Sequence, residues 1–247
     1  MSLVWSISLA AALAFVVGSA PVHAQQPPAG WRDGYVVANG IRIHYWRTGG
    51  DKPPLVLAHG SSDDALVWTN LAKEFEDRFD VIMFDARGHG LSDPPTATDE
   101  PDVQVEDLAG LIRELDLQRP ILMGHSMGSA SVANFAAKYP QVARAVILED
   151  PGLGRPEGPA AATGTAASTP PATVQQRRAT ILARNNSSEE ELVAECMKNS
   201  PRWGRSECEY WAPSKRRHHP FTVRDTPASR PPMSELFTTI TAPTHIL

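Results

Sequence analysis

The chain has 247 residues, 42% of them hydrophobic and 21% charged, which is ordinary globular composition. That length fits one α/β domain, or a core domain carrying one large insertion. A net charge of -5 gives no electrostatic reason to expect nucleic acid as a partner, and the dense basic run "SKRRHHP" at 214–220 reads as a solvated face.

Residues 1–24 read as an export signal. Ile7 to Val17 form an apolar stretch of h-region length, and Val22 and Ala24 supply the small residues of a cleavage site. Ser6, Ser8 and Gly18 interrupt the run, which disfavours a membrane-spanning helix of about 20 apolar residues. No Lys or Arg precedes it. The expectation is a periplasmic or secreted protein with no stable membrane insertion after cleavage.

From residue 25 to 151 the pattern predicts an α/β core. "YVVANGIRIHYWRTGG" reads as two strands turned at Asn39-Gly40, the strongest short hairpin signal. "PLVLA" (54–58) and "VIMFD" (81–85) read as buried strands separated by a helix over 66–79. A helix over 103–116, a strand over 120–124, a helix over 127–138 and a strand over 144–150 follow. Continuous apolar strands between amphipathic helices predict a mostly parallel sheet with helices on both faces.

The rhythm breaks at Pro151. Residues 152–173 are rich in Pro, Ala, Gly and Thr without an apolar period, and predict a mobile loop. Two helical stretches follow, the second opening on Ser188 and Glu191, the spacing of a capping box. Residues 152–232 therefore read as a helical insertion after the sixth strand, and 233–247 as a return to the sheet. The chain's two cysteines, Cys196 and Cys208, are a disulfide pair if the protein is exported and two free thiols otherwise.

Gly124-His125-Ser126-Met127-Gly128 fits G-x-S-x-G between a buried strand and a helix, the context that motif requires. A sharp turn there holds the serine in a strained conformation, and side chains at the glycine positions would collide with the neighbouring strand and helix. The serine oxygen is then presented beside a helix N-terminus, where developing negative charge is favoured. His59-Gly60 ends another strand. The backbone amide of Ser61 can face that of Met127 as an oxyanion hole, while the His59 imidazole reads as a structural group bonding loop backbone. In "FDARGHGLSD" the glycines permit a tight loop that Arg87 can pin through backbone carbonyls.

The order "HG", "DARGHGLSD", "GHSMG", with strands between, resembles the α/β-hydrolase superfamily, in its group with a cap inserted after the sixth strand. The resemblance is strong over about 33–151 and weak beyond. It implies hydrolysis without metal or organic cofactor: Ser126 as nucleophile, Ser61 and Met127 as oxyanion donors, a carboxylate and a histidine completing the site. A serine at 126 excludes the family members that open epoxides or displace halide through a carboxylate.

The family's acid follows its sixth or seventh strand, and its histidine lies in a loop after the eighth. Asp150 stands at one accepted acid position, or else caps the turn at Pro151-Gly152. This chain stops inside what reads as the seventh strand, so the C-terminal strands, helix and base histidine are expected to be missing. Of the histidines after the serine, His218 and His219 alone fall where they could cover the site, giving an order Ser126, Asp150, His218 or His219. The expected function is serine hydrolysis of small carboxylic esters or related acyl compounds through an acyl-enzyme. A silent protein lacking the base is the alternative, and carbon–carbon hydrolysis or perhydrolysis on the same fold is a third reading.

Overall fold

A computed structural model of the chain describes residues 27–96, 98–100, 103–152, 172–224 and 233–247. The expected signal segment and most of the expected mobile loop lie outside the described residues. Strands β1 (Arg32–Ala38) and β2 (Ile41–Arg47) pair as a hairpin with Ala38 opposite Ile41. Asn39 and Gly40 both take positive φ, 48° and 77°, the twist that a two-residue hairpin turn needs and few residues tolerate.

Strands β3 (Pro54–Ala58), β4 (Asp80–Phe84), β5 (Ile121–His125), β6 (Ala145–Glu149) and β7 (Thr244–Ile246) complete one seven-stranded sheet, in the order β1-β2-β4-β3-β5-β6-β7. All pairings from β4 to β7 are parallel. Between the strands run a 3₁₀ turn (Ala65–Trp68) with α1 (Thr69–Phe75), α2 (Val103–Glu114) and α3 (Met127–Lys138). The sheet thus matches the sequence expectation of a mostly parallel sheet covered on both faces.

Side-chain alternation along the strands divides the core. Val56, Ile82, Leu122 and Val146 face α2 and α3, where they meet Leu108, Leu111 and Phe135. Leu55, Leu57, Val81 and Met83 face Trp68 and Ala72. Each such fully buried side chain contributes roughly 1.5–3 kcal/mol. The helix expected over 66–79 is shorter and in two pieces. Asp64 caps the 3₁₀ turn by accepting from Leu66 N–H, and α1 ends where Arg78 and Phe79 N–H both turn back to Phe75 O. Phe79 packs into the core from the turn, which extended the apolar period past the helix itself.

Between β6 and β7 the chain forms α4 (Val174–Asn185), α5 (Glu189–Asn199) and α6 (Arg205–Arg216), then a short 3₁₀ turn (Pro220–Thr222) and α7 (Met233–Leu236). Sequence reading found two helices here and missed α6, because Pro213 sits inside it and forfeits a helical hydrogen bond. The Ser188/Glu191 capping box is complete, with bonds of 2.9 and 3.2 Å, and Thr173/Gln176 form a second one. Cys196 of α5 and Cys208 of α6 are bridged, with Cα atoms 5.6 Å apart and Leu192, Val193 and Ala212 around them. Closing a loop of 12 residues restricts the unfolded chain by about 3 kcal/mol in the chain-entropy account. The helices rest on α1 and on the loops leaving β3 and β4: Lys215 holds Ser62 O at 2.6 Å, Asn70 of α1 donates to Glu207 at 2.7 Å, and His219 N–H to Gly88 O at 2.8 Å.

Candidate active site

The turn from β5 to α3 places Ser126 at φ 50°, ψ -109°, a region that costs a non-glycine residue about 1–3 kcal/mol. Three bonds over-determine it. Ser126 N–H donates to Glu149 O at 2.9 Å, Ser126 O accepts from Ala130 N–H at 3.1 Å, and the Ser129 hydroxyl lies between Gly124 O and Glu149 O. The glycines are steric necessities. A Cβ at Gly124 would lie 2.5 Å from Ser129 N, and one at Gly128 would lie 2.6 Å from the Ala58 carbonyl carbon and closer still to its oxygen. The elbow therefore packs on the end of β3 with no room for a methyl group.

Ser61 lies in the turn after β3 and Met127 opens α3. Neither amide donates a hydrogen bond among the described residues, so both remain available to an oxyanion. Gly60 keeps this loop close to the elbow, since a Cβ there would meet His125 Nδ1 at 2.5 Å. His59 is fully occupied. Its Nδ1 donates to Gly60 O at 2.8 Å and its Nε2 accepts from Ala86 N–H at 2.9 Å, tying the loops after β3 and β4 together.

The loop after β4 is held by buried charge. Arg87 donates to both Asp107 oxygens at 3.0 and 2.7 Å, to Asp99 at 3.0 Å and to Asn39 O at 3.0 Å. Of the carbonyl partners that the sequence leads one to expect, one is present, and two carboxylates do most of the pinning. Desolvation raises the Asp107 pKa, opposed by the guanidinium. Asp85 accepts from Ala65 N–H, Leu91 N–H and His44 Nδ1 at 2.6, 2.9 and 2.8 Å.

Asp150 ends β6 with φ 47° and an exposed side chain that makes no hydrogen bond among the described residues. His218 is buried, stacked on His89 at 4.5 Å, with Nε2 2.6 Å from Thr222 Oγ1. His219 caps the 3₁₀ turn, accepting from Phe221 N–H at 3.3 Å. Ser126, Asp150 and these two histidines are thus not joined by hydrogen bonds, and no side chain among the described residues bonds Ser126 Oγ.

The stack of histidines was not legible from the sequence. Burial holds His59 and His89 below their ordinary pKa and pushes His218 down to about 4, with Lys215 adding to the last. Burial and the neighbouring Asp85 push Asp64 up to about 7. On acidification below about pH 6.5 the unfolded chain takes up protons at His59, His89, His218 and His219 more readily than the folded chain, while Asp64 and Asp107, both raised in the folded chain, work in the opposite sense. Stability should therefore fall as pH drops from about 6.5 to 4. A thermal midpoint that stays flat or rises over that range contradicts the buried, neutral histidines.

Relatives carry the same frame. A 2-(acetamidomethylene)succinate hydrolase from Mesorhizobium japonicum is 40% identical over 104 residues, 42% of this chain and 37% of the relative. An N-formylmaleamate deformylase from Pseudomonas putida is 35% identical over 124 residues, 50% of this chain and 46% of the relative. The aligned segments thus span less than half the length of either. A crystal structure of an E-2-(acetamidomethylene)succinate hydrolase superposes with a TM-score of 0.68 at 26% identity, covering 87% of this chain and 80% of the other. The N-formylmaleamic acid deformylase of Pseudomonas putida gives 0.69 at 25% identity, over 87% and 81%. Residues 53–198, more than half of the chain, match the model of the α/β hydrolase fold, and the chain belongs to that family.

Proposed function

We propose that the protein is a serine hydrolase that cleaves small carboxylic esters or related acyl compounds through an acyl-enzyme on Ser126. The observation that carries this is the strained elbow: φ 50° at Ser126, walled by glycines, with amides at Ser61 and Met127 that have no acceptor among the described residues. In the first step Ser126 Oγ attacks the carbonyl carbon, and the carbonyl oxygen becomes an oxyanion between the amides of Ser61 and Met127. Collapse leaves the acyl group on Oγ, and the departing alcohol or amine takes up the proton that Oγ lost. Water then attacks the acyl ester by the same route and frees the acid.

The relatives' activities support hydrolysis of a small acyl substrate; both are hydrolases of the same fold. The Cys196–Cys208 bridge supports export, since disulfides persist in oxidising compartments. One observation favours a silent binding protein: Ser126 Oγ has no base bonded to it among the described residues. Hydrolysis of a nitrophenyl ester decides between them. Turnover with an initial burst is expected, which Ser126→Ala should abolish while remaining folded. Equal turnover by Ser126→Ala contradicts the nucleophile, and a folded wild-type chain with no turnover favours the silent reading.

A further inference from the structure

Two cavities touch the loop after β3, and their linings differ in charge. The larger, about 480 Å³, includes Trp68, Trp203 and Trp211, with Asp63, Glu149 and Glu207 outnumbering Arg202. The smaller, about 200 Å³, lies between α4, the end of α6 and Ser61–Ser62, and no carboxylate lines it. That volume holds roughly six waters' worth of ligand, enough for a carboxylate and a few carbons.

Helical spacing builds the smaller cavity. Arg177, Thr180, Ile181 and Arg184 stand at i, i+3, i+4 and i+7 of α4, one face of the helix, and all four line it. Lys215, in the last turn of α6, also lines it. The three cations are incompletely neutralised. Arg184 pairs with Glu195 at 2.6 Å and Lys215 with Asp63, while Arg177 has no ion pair among the described residues. Three cations against two carboxylates leave one positive charge. Lys215 also keeps one donor in hand, because Ser62 O and Asp63 take two of its three. His218, also in the lining, is neutral at pH 7, so it adds no charge.

We propose that this cavity is the carboxylate subsite of the enzyme, and that its substrate is a short acyl compound carrying a second, free carboxylate. The proposal rests on the serine-hydrolase reading and adds the substrate class to it. Ser61 connects the two parts of the substrate. It lines the cavity, and in the hydrolase reading its amide faces the oxyanion, so the free carboxylate and the scissile carbonyl belong a few bonds apart. A carboxylate placed here gains charge-assisted hydrogen bonds from groups already held by α4 and α6. In the larger cavity it would meet three carboxylates and be repelled.

Succinate, which cannot be hydrolysed, tests the subsite without turnover. Calorimetric titration of the full chain should show succinate binding at least tenfold tighter than neutral succinamide. Arg177→Gln should weaken succinate on the order of tenfold, the loss of one charged hydrogen bond. That side chain is exposed and unpaired among the described residues, so the substitution leaves the fold intact. Arg184→Gln should weaken it similarly, and monomethyl succinate should be hydrolysed with a higher kcat/KM than dimethyl succinate. Succinate binding with no ester turnover would sustain the subsite and sink the hydrolase reading. Turnover of both esters at equal kcat/KM, no succinate binding, or binding unaffected by Arg177→Gln would overturn the subsite.

Discussion

Gly128→Ala is expected to destabilise the protein by about 3 kcal/mol or more, lowering the thermal midpoint by roughly 6–12 °C. Overpacked sites usually yield because a neighbouring side chain rotates away. Here the added methyl would meet the backbone of Ala58 and His59, in the middle of the sheet. Relief requires α3 to separate from β3, and that displaces Ser126 and the Met127 amide together. Chemical denaturation and an ester assay should therefore fail in parallel. A variant with wild-type stability would mean that the elbow does not pack on β3 as described.

Arg87→Ala should cost about 3–5 kcal/mol, because it strands the buried carboxylate of Asp107 without its counter-ion and leaves Asp99 only the longer pair with Arg224 at 3.5 Å. An exposed ion pair would cost less than about 1 kcal/mol, so the two cases separate cleanly. Part of the loss should be recovered at mildly acidic pH relative to wild type, where the orphaned carboxylate of Asp107, already raised by burial, can protonate. The damage should also reach the smaller cavity. Gly88 O anchors His219, and His89 stacks on His218, so loosening the loop after β4 loosens the chain beyond α6. A loss under 1 kcal/mol in denaturant titration contradicts the buried network.

Much of this frame is written locally. Asn39-Gly40 forces one turn, the continuous apolar strands force a parallel sheet, and two glycines around Ser126 force the elbow. Each is a statement about a few adjacent residues. The arrangements that escaped sequence reading join distant ones. Asp107 lies on the buried face of α2, four residues before Leu111, so a buried carboxylate was visible in principle, but its partner 20 residues away was not. The stack of His218 on His89 and the bond of Lys215 to Ser62 exist because α6 folds back over the sheet. That helix was itself hidden by Pro213. The role of Asp150 also depends on what faces it across the site, which its place at the end of β6 does not specify.

The proposed chemistry stands on Ser126 as the nucleophile. Treatment with a fluorophosphonate followed by peptide mass spectrometry tests it most directly, because that reagent reports the activated serine whatever the natural substrate. One adduct is expected, on the peptide containing Ser126, and none in Ser126→Ala. An adduct on another serine, or labelling that persists in Ser126→Ala, would contradict it.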